Sequence, residues 1–139
     1  MPAFISRQKI LFQHCDPARI VFYPRYFELI NAVVEQWFEE GIGLSFAEMH
    51  MEREEGVPTL KLDAFFSAPS RLGDLLDFSL TVSRLGNSSV ELNIIADCLG
   101  EKRLEANLTL VHISNSNGKS KHWRDKIRAK MQNFLVDKD

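Results

Sequence analysis

With 139 residues, 45% of them hydrophobic and 26% charged, the chain suits one domain, residues 1–139, with a core of its own. Its formal net charge of −2 gives no global electrostatic case for nucleic acid or an anionic membrane surface, so an anionic ligand must find its positive charge locally. No basic-then-apolar leader and no run near the roughly 18 apolar residues of a membrane span are read. Cys15 and Cys98 show no disulfide framework, so a cytoplasmic location is expected.

Phe4 to Gln13 reads as a first strand. From Pro24 to about Glu40 the period turns helical: Phe27, Ile30, Val34, Trp37 and Phe38 recur at three- and four-residue steps and build one apolar stripe. Pro24 suits the first helical position and Gly41 the C-terminal cap. Ser45 suits the cap of a short helix over Phe46 to Glu52. A strand follows from Val57 to Phe66, its Pro58 placing it near a sheet margin. Three period-2 runs come next: Leu76, Phe78, Leu80 and Val82; then Val90, Leu92, Ile94, Ala96 and Cys98; then Leu104, Ala106, Leu108, Leu110 and His112. Separated by turn signals at Gly86-Asn87 and Gly100-Glu101, they predict an antiparallel meander with one buried face. Lys121 to Leu135 predicts a last amphipathic helix with Trp123, Ile127, Met131 and Phe134 on one side. The order strand, long helix, strands argues for an α+β fold with a helix lying across an antiparallel sheet.

The segment from His14 to Pro24, His-Cys-Asp-Pro-Ala-Arg-Ile-Val-Phe-Tyr-Pro, carries the chemistry. It sets the Asp16 carboxylate in a loop just ahead of a helix start, where backbone N–H groups lack partners and partial positive charge gathers. A carboxylate facing such amides suits attack on an acyl carbonyl, with the amides receiving the oxyanion. The plain alternative is that an Asp before Pro is a common turn residue. Adjacent His14 and Cys15 do not make a nucleophile–base pair, because neighbours on an extended segment point to opposite sides. Glu35 flanks the apolar stripe of the long helix and reads as a surface charge. The four histidines, His14, His50, His112 and His122, lack metal-ligand spacing, so no metal is expected.

The stretch Asp16-Pro17-Ala18-Arg19-Ile20-Val21-Phe22-Tyr23-Pro24-Arg25-Tyr26 resembles the signature of hot-dog-fold acyl-CoA thioesterases of the 4-hydroxybenzoyl-CoA thioesterase family. The resemblance implies a sheet wrapped around the long central helix over roughly residues 4 to 135. It implies Asp16 as nucleophile or general base, and the backbone N–H of Tyr23 as oxyanion donor. Phe22, Tyr26 and Phe27 would supply aromatic walls to an aryl acyl group, with His14 and Arg19 also near substrate. Val57, Pro58 and Thr59 match the family's position beside the acyl group. The turn at Gly86, with Asn87, Ser88 and Ser89, matches the contact to pantetheine and nucleotide, Arg84 standing nearby; Arg71, Lys119 and Lys121 are further candidates for phosphate. The family's usual glycine is Arg19 here. Glycine permits a positive backbone torsion or a close approach. Arginine is expected to give up both, leaving a tolerant loop, a guanidinium that recruits an acid or phosphate, or a partly blocked pocket.

The reading is an acyl-CoA thioesterase acting on an aromatic acyl-CoA, with CoA as part of the substrate and no cofactor. A homo-oligomer, dimer or tetramer, is expected, because a single sheet leaves an exposed edge and the family answers with one. Two other readings stay open: a hot-dog hydratase or dehydratase, disfavoured because no histidine follows Asp16 before His50, and a non-catalytic acyl-CoA-binding module.

Overall fold

In the computed structural model, which describes residues 2–136, the chain forms a five-stranded antiparallel sheet against a long helix. The strands are β1 (Phe4–Lys9), β3 (Thr59–Phe66), β4 (Leu75–Leu85), β5 (Ser89–Cys98) and β6 (Glu101–Val111), ordered β1-β4-β5-β6-β3. A small second ladder pairs β2 (Glu55–Gly56) with β7 (Ile113–Ser114). The helices are α1 (Pro24–Gln36) and α2 (Asp125–Gln132). This is the hot-dog arrangement implied by the signature.

The three alternating runs form the central strands β4, β5 and β6, and their even members are the buried ones. Against them α1 lays Leu29, Ile30, Val33 and Val34, all buried. Truncating Leu29 or Ile30 to alanine costs about 2–5 kcal/mol. No helix among the described residues is long and apolar enough to cross a membrane.

Several boundaries differ from the sequence reading. The first strand stops at Lys9, and Phe12–His14 forms one 3₁₀ turn. The long helix stops being α at Gln36 and widens into a π turn over Trp37–Ile42. Its cap is Gly43 at φ +86°, whose N–H meets Phe38 O at 2.8 Å; it is not Gly41. Gly41 has a different duty: a Cβ there would lie 2.8 Å from the Trp37 ring. The short helix after Ser45 forms, with the Ser45 hydroxyl accepting the Glu48 N–H at 3.1 Å. The edge strand begins at Thr59, and the last helix is shorter than its apolar period, covering Asp125–Gln132. Trp123 and Phe134 flank that helix and still pack on the core.

Two features outside the core fix the ends of the sheet. At one end Arg103 of β6 reaches Pro69 O, Ser70 Oγ and Asp74 Oδ2 at 3.0, 3.1 and 2.8 Å. At the other, the carboxylate of buried Glu55 meets His112 Nε2 at 3.0 Å, Lys121 Nζ at 2.5 Å and Arg124 Nη1 at 2.8 Å. Arg124, then Lys121 and His112, hold Glu55 well below the usual carboxylate range. His112 continues the buried period-2 run of β6, and its ring stacks on Trp123 at 4.7 Å.

Candidate active site

The loop carrying Asp16 folds back on itself. Cys15 bridges Val21, the Asp16 N–H meets Ile20 O at 3.1 Å, and the Arg19 N–H meets Asp16 O at 2.9 Å. Asp16 Oδ1 accepts the Ala18 N–H at 2.8 Å, a side-chain turn that fixes the carboxyl's direction. Next to it the Phe22 N–H donates to His14 O at 2.9 Å, which draws the Asp16 segment alongside the start of α1. A neighbouring segment holds the loop from outside, with the Val21 N–H on Ser70 O at 2.9 Å and Ile20 bridged to Arg71.

Arg19 does not give up the positive torsion. It adopts φ +70° itself, so the tight turn survives without glycine, at the cost of a left-handed conformation in an L-residue. Its side chain is exposed.

At the helix start most amides are occupied. The Arg25 N–H meets Phe22 O at 2.8 Å, the Tyr26 N–H meets Tyr23 O at 3.1 Å, and Pro24 has none to offer. The Tyr23 N–H has no acceptor among the described residues. It is thus a donor at the positive end of α1, available to an incoming oxygen.

The aromatic residues divide. Phe22 and Tyr23 are exposed and meet edge-on at 5.7 Å. Tyr26 is 4% exposed, which corrects its expected place as an open pocket wall. Its ring stacks on Phe66 at 5.3 Å, and burial pushes its hydroxyl pKa up. Phe66, at the end of β3, also touches Tyr23 and Phe27, each at 6.3 Å. Sequence reasoning missed Phe66; the Phe65-Phe66 pair ending a marginal strand was the available signal. His14 is likewise buried: Nδ1 accepts the Leu11 N–H at 2.8 Å, and burial lowers its pKa. It supports the loop from beneath and does not face an open site.

A cavity of about 490 Å³ lies between α1, the start of β3 and the ends of β6. Phe27, Ile30, Asn31 and Val34 line it from α1, in steps of three and four, one turn below Tyr23. Val57, Pro58 and Thr59 line the opposite side, so these three expected residues and Phe27 do come together. His50 and Asn115 also line it, and sequence reasoning gave neither a role here. Asp16 is not part of its wall.

The expected CoA turn lies elsewhere. Arg84 is exposed, 3.8 Å from Glu91. Asn87 O accepts the Trp123 N–H at 2.9 Å, Ser88 O accepts the His112 N–H at 2.7 Å, and Ser89 O accepts the Trp123 Nε1–H at 3.0 Å. Arg128 donates to Gly86 O at 2.7 Å. The C-terminal segment therefore straps this turn down. Lys121 is committed to Glu55, which corrects its candidacy as a free phosphate contact. The turn stands at the end of β4 remote from the Asp16 loop; eleven residues of strand separate the ends by roughly 35 Å.

The family description of the Thioesterase superfamily matches residues 29–105, more than half of the chain. The chain belongs to this superfamily and is by membership a thioester hydrolase. The matched span runs from α1 into β6 and leaves the Asp16 loop outside it. Among curated proteins, none matches. Solved structures agree in fold. A thioesterase-superfamily protein from Jannaschia sp. CCS1 superposes with a TM-score of 0.89 at 20% identity, over 97% of this chain and 94% of that one. A 1,4-dihydroxy-2-naphthoyl-CoA thioesterase from Synechocystis gives 0.85 at 16%, over 94% and 96%. A Staphylococcus aureus protein solved in complex with CoA gives 0.87 at 15%, over 98% and 88%.

Proposed function

We propose that the protein hydrolyses an acyl-CoA, with an aromatic acyl group, to the free acid and CoA. The observation that carries this is the unpartnered Tyr23 N–H at the helix start beside the loop that aims Asp16. Asp16 attacks the thioester carbonyl or activates water, and the Tyr23 N–H receives the developing oxyanion. CoA leaves as a thiolate, so no strong general acid is needed and no cofactor is called for. The Synechocystis protein's aromatic acyl-CoA and the S. aureus protein's bound CoA support the choice of substrate class.

The working site is composite, formed by two copies of the chain. β3 is an edge strand with Leu60, Phe65 and Phe66 exposed, and its outer N–H and C=O groups face no strand among the described residues. Two copies paired antiparallel along β3 about a two-fold axis exchange ends. The Thr59 end of one copy, with its cavity and the strapped turn Asn87–Ser89, then meets the Phe66 end of the other, with Tyr23 and Asp16. That pairing reunites groups that lie at opposite ends of one sheet.

The test is thiol release from a panel of benzoyl, hydroxybenzoyl, phenylacetyl and short- to medium-chain acyl-CoAs, comparing the parent with Asp16→Asn. Turnover should fall at least about 100-fold in the variant, the order expected for loss of a nucleophile or base, while acyl-CoA binding persists. Turnover that survives Asp16→Asn refutes the assignment of Asp16. A folded parent that binds acyl-CoA and hydrolyses none of the panel leaves the binding-module reading.

A further inference from the structure

The cavity beside α1 has a built polar end. Asn115 Nδ2 donates to Glu55 O at 3.0 Å, which turns Oδ1 away from that bond. His50 sets Nδ1 2.8 Å from Phe46 O. A carbonyl only accepts, so Nδ1 carries a proton, and in the tautomer protonated there alone Nε2 offers a lone pair. The two free acceptors converge over Gly56: a Cβ there would lie 2.9 Å from Asn115 Oδ1 and 3.6 Å from His50 Nε2. Because residue 56 has no side chain, that space stays open to the cavity, which all three residues line.

The acceptors are held in place. The Asn115 N–H meets Glu54 O at 2.8 Å, β2 is paired with β7, and the neighbouring Glu55 carboxylate is anchored by Arg124, Lys121 and His112. None of the fifteen lining residues is Asp, Glu, Lys or Arg. A charged group would find no counter-charge among the lining residues, although His50 and Asn115 themselves reach solvent. Two converging acceptors match a group that presents two polar hydrogens.

We infer that this end of the cavity selects acyl groups whose far end carries such a group, an aryl amine or a pair of neighbouring hydroxyls, with Asn115 and His50 as specificity-determining acceptors. The inference rests on the thioesterase reading above for the occupant's identity. Its test uses benzoyl-CoA, 4-aminobenzoyl-CoA and 3,4-dihydroxybenzoyl-CoA. Binding is measured by calorimetry on the Asp16→Asn protein, and kcat/KM on the parent. The amino and dihydroxy thioesters should be preferred over benzoyl-CoA by about three- to tenfold per hydrogen bond gained.

His50→Phe keeps the ring against Phe46 and removes the acceptor, and Asn115→Ala removes the other. Each should reduce the preference over benzoyl-CoA about three- to tenfold. Equal binding of all three thioesters, or a preference that survives both substitutions, overturns the inference. The two readings fail separately. A binding preference without hydrolysis sinks the hydrolase and keeps the selective cavity. Hydrolysis indifferent to the substituent does the reverse.

Discussion

Arg19→Gly should stabilise this protein. Arg19 stands at φ +70° in the turn that holds Asp16, and its side chain is exposed. An L-residue in that region sets its Cβ against the following carbonyl at a cost of about 1–2 kcal/mol. Glycine removes the cost but returns about 0.5–1 kcal/mol through the freer unfolded chain. The net gain is about 0.5–1 kcal/mol, a rise in Tm of about 2–4 °C for a chain of this length. Arg19→Ala is the control: it loses the guanidinium and keeps the strain, so its Tm should stay within about 2 °C of the parent. Thermal unfolding of the three proteins by circular dichroism makes the comparison. An Arg19→Gly protein that melts at or below the parent refutes the reasoning, since the torsion would then carry no strain. A KM that rises equally in both variants would assign the guanidinium to substrate.

Two further expectations concern the clamps at the ends of the sheet. Glu55 is held below its ordinary value of 4.5, so its stabilisation is present above that pH and is lost as pH falls from there toward the lower folded value. Glu55→Gln should cost about 3 kcal/mol at pH 7 and flatten the acid limb of the stability curve, measured by urea unfolding from about pH 7 to 3; an acid limb as steep as the parent's would remove Glu55 from the account. At the other end, Arg103→Met frees Ser70 and Asp74, and through Ser70 O the loop at Val21. Stability should fall by about 2–4 kcal/mol and kcat should fall more than KM rises; unchanged kcat would mean that the Asp16 loop holds its own shape.

The meander was legible in the sequence because one face of each central strand is buried by α1, and such burial writes itself as strict period 2 in β4, β5 and β6. The boundary of the long helix was not: Trp37 and Phe38 continue the apolar stripe straight through the change from α to π, and a stripe reports burial, not hydrogen-bond pitch. Gly41 was misread for a related reason, since a glycine wanted for clearance beside Trp37 looks the same as one wanted for a positive torsion. The local motif singled out Asp16 and Tyr23, and a match to the family's acyl position singled out Val57–Thr59, which the structure places on the cavity wall. Glu55 was not, because nothing in the run Glu52-Arg53-Glu54-Glu55 separates the one buried acid from its exposed neighbours. Its partners lie 57 to 69 residues away. His112, in step with buried leucines, was the missed hint that an acid waits opposite.

The proposed composite site leads to a last prediction, since the Asp16 loop lies at the end of the sheet opposite the Asn87 turn and Asp16 is not on the cavity wall of its own chain. If Asp16 of one copy works with the Thr59 end of another, defects at the two ends should complement each other. Asp16→Asn disables the first half, and Thr59→Trp, at an exposed position on the cavity wall, blocks the second. Each homodimer then has two defective sites. A mixed dimer collects both defects in one site and leaves the other intact. Random assortment makes about half of the dimers mixed, each with one working site of two, so a co-expressed mixture should recover about a quarter of the parent's activity. Sites confined to single chains would give no recovery at any mixing ratio, and would return the Asp16 loop and the cavity to separate roles.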